Sequence, residues 1–288
     1  MTRLRVVFDT NTFSPLHFDA IDNSPIRDLC RRGRVVAVYS GPFFEEMLRA
    51  YTRESVRDAL LRRWFPFIIE TGVRFHEDVP TIWQRELVQG AGLKVNTLMK
   101  PASQAAMVAR LRALPTDGSW ALIQETKADR EFNASQLVAQ RELSKEMRAE
   151  ISDQLKARGM RGVRREVGGD IRRRLIPVLG SAMIERHVAP SNWRAVADRW
   201  ARAPERYRYF TQFVDNMAYK EAHFSTTPGA PIDVNAQVDL DLMTFLLDAD
   251  VFVTNEQRFA RQAFEDLWRP HGKMLFSSAE FAAFCRRL

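Results

Sequence analysis

Five carboxylates carry the chemistry that the sequence suggests: Asp9, Glu46, Asp239, Asp241 and Glu256. Each stands where an apolar run ends or where a helix begins. Three or four carboxylates brought into one crevice repel one another unless a hard cation neutralises them, and Mg²⁺ and Mn²⁺ prefer oxygen ligands. A divalent ion held in this way polarises a phosphoryl oxygen and lowers the pKa of a bound water, which is phosphodiester-hydrolysis chemistry. Each acid also has an ordinary role open to it. Asp9 would cap a loop, and Glu46, Asp239, Asp241 and Glu256 would sit at helix starts, where the dipole favours negative charge.

The elements that must position these acids follow from the pattern of apolar residues. Leu4–Phe8 is a short apolar strand running straight into Asp9, with Thr10, Asn11 and Thr12 behind it. Pro25–Arg32 reads as a helix capped by Ser24 and stopped by Gly33. Val35–Tyr39 reads as a second strand, and Pro42 opens a helix through Ala50 with Glu45 and Glu46 in its first turn. Strand–helix–strand–helix order predicts a parallel sheet with crossover helices, and ligands of such sheets bind outside the carboxyl ends of the strands. A third strand is expected from Phe67–Ile69 and Val73–Phe75.

From Glu77 to about Phe224 helical patterns dominate: Thr81–Leu87, Ala102–Leu114, Trp120–Ala157, Asp170–His187 and Asn192–Phe224. Ser225–Asp233 is a turn-rich link. α/β character then returns, with a helix over Val238–Leu247, a strand over Val251–Thr254, a helix over Phe259–Trp268 and a strand over Met274–Phe276. A closing helix, Ala279–Arg287, follows Ser278 as its cap. The chain thus reads as α/β, with residues 1–75 and 230–288 forming one discontinuous domain and 76–229 an all-helical insertion.

Composition narrows the partners. The net charge of +7 favours a polyanion such as nucleic acid. Much of the excess lies in Lys156–Arg174, where Lys156, Arg158, Arg161, Arg164, Arg165, Arg172, Arg173 and Arg174 face only Glu166 and Asp170. Four glycines there predict a basic loop able to track a phosphate backbone. Apolar residues make up 45% of the chain, enough for a substantial core. Two cysteines are too few for a disulfide framework and predict a reducing, cytoplasmic setting. No signal-peptide h-region is visible, and no run approaches the roughly 18 apolar residues of a membrane span. The histidines lack ligand-like spacing, and no P-loop, dinucleotide glycine pattern or G-x-S-x-G elbow occurs.

The motifs together resemble the PIN-domain nucleases. VVFDTNTF is similar to the family's opening strand and Asp-x-Asn. SGPFFEEML resembles its second motif, in which Glu46 rather than Glu45 precedes the aliphatic residue. DLDLMTFLLDADVFVTNEQRF resembles the third and fourth motifs, with Asp239 or Asp241 starting a helix, then Thr254, Glu256 and Phe259. Asp239 fits better than Asp241, because counting from it puts Leu242, Met243 and Leu246 on the buried face. Glu256 departs from the aspartate that the family usually carries.

The resemblance implies a PIN-like central parallel sheet of about five strands flanked by helices. It implies a Mg²⁺- or Mn²⁺-dependent endoribonuclease acting on single-stranded RNA. Asp9, Glu46, Asp239 and Glu256 would be catalytic, with Asp9, Glu46, Asp239 and Asp241 as metal ligands. Asn11, Thr10 and Thr254 would support them, and the arginines of the basic stretch would hold RNA. A homo-oligomer, or a small inhibitory protein partner as in toxin–antitoxin pairs, is compatible with such a chain. Two other readings compete: a PIN-like binding module whose site is degraded at Glu256, and a haloacid-dehalogenase-like phosphatase, whose Asp-x-Asp-x-Thr motif FDTNT resembles.

Overall fold

Short apolar runs from the two ends of the chain assemble one parallel sheet. In a computed structural model, which describes residues 3–51, 60–90, 92–117, 149, 153, 164–226 and 236–288, four strands are present. They are β1 (Leu4–Phe8), β2 (Val35–Val38), β3 (Val251–Val253) and β4 (Met274–Phe276), in the order β2-β1-β3-β4 with every pair parallel. Val7 lies opposite Val38 on one side and Phe252 on the other. Val6, Val7, Phe8, Val251, Phe252 and Val253 are all buried, as expected for strands covered on both faces.

Twelve α-helices are described. In chain order they are α1 (Phe18–Asp22), α2 (Ile26–Arg31), α3 (Gly41–Tyr51), α4 (Phe65–Thr71), α5 (Val79–Gln89) and α6 (Pro101–Asp117). Then come α7 (Arg164–His187), α8 (Trp193–Arg202), α9 (Arg208–Thr226), α10 (Ala236–Thr244), α11 (Phe259–Leu267) and α12 (Ser278–Cys285). The described residues fall into two compact units. One is drawn from Met1–Asp78, Thr97–Arg130 and Val238–Leu288, the other from Val79–Asn96 and Glu131–Gln237. The sheet belongs to the first unit. So does α6, which the sequence pattern groups with the insertion; its Gln104 takes the Phe75 backbone N–H and donates to the Val73 carbonyl.

Several expectations change. Phe67–Ile69 is not a strand but part of α4. Its buried residues Phe65, Ile68 and Thr71 recur at helical spacing, and Pro66 sits in the first turn, where proline costs no hydrogen bond. Val73–Phe75 forms no strand either; His76 makes a single parallel bridge to Ser40 and an antiparallel one to Leu98. The helix expected over Asn192–Phe224 breaks at Ala203, where Pro204 starts a 3₁₀ turn, Pro204–Arg206, between α8 and α9. Ser277, not Ser278, caps the last helix, exchanging hydrogen bonds with Glu280 in a capping box. The expected basic loop is helical from Arg164 onward, with Gly168 and Gly169 inside α7. Arg158, Arg161 and most of Trp120–Ala157 lie outside the described residues. The expectation for Ser225–Asp233 fails at its start, because Ser225 and Thr226 end α9; its remainder lies outside the described residues.

Candidate metal centre

Asp9 is delivered by β1 and held by the turn behind it. The residues Thr10–Phe13 form a 3₁₀ turn with Asp9 as its N-cap. Phe13, at the end of that turn, is fully buried against Phe8, Phe18, Phe43 and Phe67. Thr12 donates its hydroxyl to the Val253 carbonyl, and the Asp9 backbone N–H bonds the same carbonyl at 2.9 Å. Aromatic packing and these two bonds to β3 fix the path of the chain immediately beyond the carboxylate.

Glu46 comes from α3. It lies in the second turn rather than the first, since the helix begins at Gly41. Asp239 comes from the first turn of α10, the helix that precedes β3. A helix feeding a parallel strand runs back along the sheet, so its N-terminus lies beside the carboxyl ends of the strands. One carboxylate oxygen from each of Asp9, Glu46 and Asp239 lies within 4.8 Å of the others. Asp9 and Asp239 are buried and Glu46 is half-buried. Among the described residues this is the only cluster of three or more such groups with metal-binding spacing. Its donors are hard, anionic oxygens, which fit Mg²⁺ or Mn²⁺ and suit thiophilic metals poorly.

Asp9 has a dense hydrogen-bond shell on one side. Its Oδ2 accepts from the Thr254 hydroxyl at 2.5 Å and from Asn11 Nδ2 at 2.6 Å. Its Oδ1 receives only longer contacts, from the Asn11 backbone N–H at 3.4 Å and the Thr10 hydroxyl at 3.5 Å. Burial pushes the Asp9 carboxyl up to about 6. The Thr254 and Asn11 hydrogen bonds oppose that rise, and the negative charge of Glu256 adds to it. A cation at this position would reverse the effect of burial.

The other predicted residues divide. Asn11 joins the centre by donating to both Asp9 and Thr254. This amide has no proton to transfer as a general acid, so the phosphatase reading lacks its second catalytic group. Asp241 is not in the three-oxygen group. Two helical positions rotate the side chain by about 200°, so Asp239 and Asp241 leave α10 on opposite sides. Glu256 is also outside the group. Its Oε1 accepts from the Arg258 and Phe259 backbone N–H groups at 3.2 and 2.9 Å, and its Oε2 from Ala260 at 2.6 Å. It caps α11. Of the arginines, Arg172 clasps Asp215 with Nε and Nη2, Arg173 pairs with Asp170, and Arg174 is exposed on α7. Arg164 and Arg165 occupy the first turn of α7.

Sequence reasoning missed Asn255. Its backbone N–H donates to Asn11 Oδ1 at 2.9 Å, and its side-chain amide bonds Ser278 at the start of α12 in both directions. It thereby ties the Asp9–Asn11–Thr254 cluster to the last helix. Its only signal in the sequence is its place, directly after the threonine that ends an apolar strand.

Set against protein-family models, curated proteins and solved structures, the chain matches none of them.

Proposed function

We propose that this chain is a PIN-like, Mg²⁺- or Mn²⁺-dependent endoribonuclease acting on single-stranded RNA. The observation that carries the reading is the convergence of Asp9, Glu46 and Asp239, whose oxygens lie within 4.8 Å of one another although they come from three distant parts of the chain. The order β2-β1-β3-β4 suits that layout. The His76 bridge to Ser40 lies where an edge strand would complete five.

In this reading Asp9, Glu46 and Asp239 hold the ion. A bound divalent ion supplies Lewis-acid polarisation of the scissile phosphate and acidifies water at neutral pH. Thr254 and Asn11 keep the Asp9 carboxylate aimed, and low exposure around Asp9 and Asp239 strengthens every charge interaction there. The chain's excess of +7 attracts the polyanionic substrate, with Arg174 and the flanking arginines as contributors. A reducing, cytoplasmic setting accords with the two cysteines, both free and buried.

Asp9→Asn tests the assignment. It should abolish Mn²⁺-dependent cleavage of a mixed single-stranded RNA pool and leave the circular-dichroism spectrum unchanged. Full activity in that variant would refute the reading.

One observation favours a second reading. Glu256, the fourth motif acid, is committed to capping α11, which suits a catalytically silent RNA- or protein-binding module. Absence of both Mn²⁺ binding and RNA cleavage in the wild-type protein would favour it.

A further inference from the structure

We infer that a groove between the Val73–Phe75 segment and α6 holds the phosphate backbone of single-stranded RNA beside the metal centre, with Arg74 and Arg112 as its phosphate contacts. The inference rests on the nuclease reading above and adds a binding surface made of none of the three carboxylates.

The groove has a volume of about 670 Å³. Arg74 and Arg112 are its only charged lining residues, and Pro101, Ala105, Val108 and Ala109 supply an apolar wall. Both arginines are exposed. Glu77 and Asp78 follow Arg74 in the chain, but neither lines the groove. The sequence carries the same sign, since Lys100–Arg112 holds three cations and no acid. Guanidinium groups match phosphate in planar, two-point hydrogen bonding, so two of them without a carboxylate favour a phosphate-bearing anion. The length of the groove favours an extended anion over a small one, because α6 rises about 16 Å from Pro101 to Arg112. An RNA strand carries one charge per nucleotide and a flat base beside it, which suits cations set along an apolar wall.

The groove also lies at the carboxyl end of the sheet. The His76 backbone N–H bonds the Tyr39 carbonyl at 2.8 Å, and His76 bridges Ser40 in the parallel sense. Ser40 stands two residues beyond Val38, as Asp9 stands two beyond Val7, and Val7 pairs with Val38. The His76 backbone is therefore two strand spacings, about 10 Å, from that of Asp9. Ser40 leads directly into α3, which carries Glu46. The opposite wall is tied to the same segment. Gln104 of α6 accepts the Phe75 N–H at 3.2 Å and donates to the Val73 carbonyl at 3.1 Å, and the Met99 N–H bonds the Phe75 carbonyl at 2.9 Å. These bonds flank Arg74 on both sides and fix the groove next to the carboxylates.

The experiment measures binding of a fluorescent oligouridine of about 20 nucleotides to the purified full chain over a range of salt, with EDTA present so that no cleavage occurs. Arg74→Ala with Arg112→Ala should weaken binding about tenfold at about 0.1 M salt and lower the salt slope by about 1.4, two phosphates at about 0.7 each. Lysine at both positions should restore most of the slope, because it keeps the charge. Val108→Glu sets a like charge against the phosphates without touching either arginine, and it should weaken binding too. Circular dichroism and Tm of the double-alanine variant should match wild type, since both side chains are exposed. With Mn²⁺ present, that variant should raise KM and leave kcat unchanged. If wild type cleaves RNA but the double-alanine variant binds within about twofold of it, the groove is overturned and the nuclease reading stands. If wild type binds through the arginines yet cleaves nothing, the nuclease reading falls and the RNA groove stands. Wild type that does not bind oligouridine would overturn the groove. Arginine-dependent binding of polyglutamate as tight as that of oligouridine would assign the groove to an acidic protein and overturn RNA as its occupant.

Discussion

Thr254 donates its hydroxyl proton to Oδ2 of Asp9 at 2.5 Å, across 245 positions of sequence. The bond exists because β3 lies beside β1, with Phe8 opposite Val253, so the first residues beyond each strand meet. Thr254→Val keeps the shape and removes the proton. It should weaken Mn²⁺ binding by about 10–100-fold, the usual cost of losing a partner that orients a ligand. Thr254→Ser should retain most of the affinity. Equal affinity in wild type and the valine variant would show that this proton does not position Asp9.

Two buried groups should pull stability in opposite directions as the metal-free protein is acidified. Burial pushes Asp9 up to about 6 from 3.8, so the folded state takes up a proton first and gains stability as pH falls from about 6 to 4. Burial, aided by Arg5, pushes His76 down to about 4 from 6.5, so the unfolded state takes up its proton first and stability is lost over nearly the same range. Each group acts with a slope of at most about 1.4 kcal/mol per pH unit. Their contributions should largely cancel in wild type. Asp9→Asn removes one of them, and denaturant melts should then reveal a steady loss of stability from pH 6.5 to 4. A profile in Asp9→Asn that is as flat as wild type would contradict the assignment.

The same proton on Asp9 competes with a cation. Mn²⁺ affinity should therefore fall as pH drops through about 6, where Asp9 becomes protonated. The rise in Tm caused by 1 mM Mn²⁺ (roughly 1 mM being a moderate excess for weak sites) should shrink in step. A Tm rise that is independent of pH between 5 and 8 would exclude Asp9 as a ligand.

Arg172 and Arg174 should separate folding from polyanion binding. Arg172 is partly buried, holds Asp215 with two nitrogens and lies 5.8 Å from the Tyr219 ring centre, tying α7 to α9. Arg172→Ala should cost about 1–2 kcal/mol, between the values for exposed and buried ion pairs. Arg174 is exposed, so Arg174→Ala should leave Tm unchanged and reduce the salt dependence of RNA binding by about one unit of slope. Melts and filter-binding isotherms at several salt concentrations measure both.

Two glycines in α7 should respond to alanine with opposite signs. A Cβ on Gly180 would come within 2.0 Å of the Trp200 ring, whereas one on Gly169 would meet nothing within 4 Å. Gly180→Ala should destabilise by about 1–3 kcal/mol through overpacking. Gly169→Ala should stabilise by up to about 1 kcal/mol through helix propensity. Chemical denaturation of the two variants is a direct check of the α7–α8 packing.

How much of this was legible beforehand depended on the range of the interaction. The four strands were visible because strands buried on both faces are short, unbroken apolar runs. In the sequence Glu256 reads equally as a ligand and as a helix-start acid, because metal sites and helix N-termini both favour a carboxylate there. The choice of Asp239 over Asp241 leaned on burial of Leu242, Met243 and Leu246, and all three are buried. Thr244 and Phe245, from the competing register, are buried too, so burial did not separate the two. What differs in the structure is that Asp239 has an oxygen within 4.8 Å of those of Asp9 and Glu46, a group that does not include Asp241. The basic stretch misled for a related reason. Glycine favours loops as an isolated residue, but Gly168 and Gly169 lie in a helix packed against α9, and packing overrides propensity.

The sequence by itself determined which residues could serve: an acid after each apolar strand or near the head of a helix, with hydroxyl and amide neighbours to orient it. Local pattern is enough for that, since strand length, helix starts and residue chemistry are short-range properties. Only the tertiary structure decided which acids meet. Asp9, Glu46 and Asp239 come within 4.8 Å because β1 pairs with β2 on one side and β3 on the other, a pairing between chain segments that no local pattern encodes. Glu256 is the exception: its carboxylate accepts from three backbone N–H groups of its own chain segment, a local arrangement that owes nothing to the strand pairing.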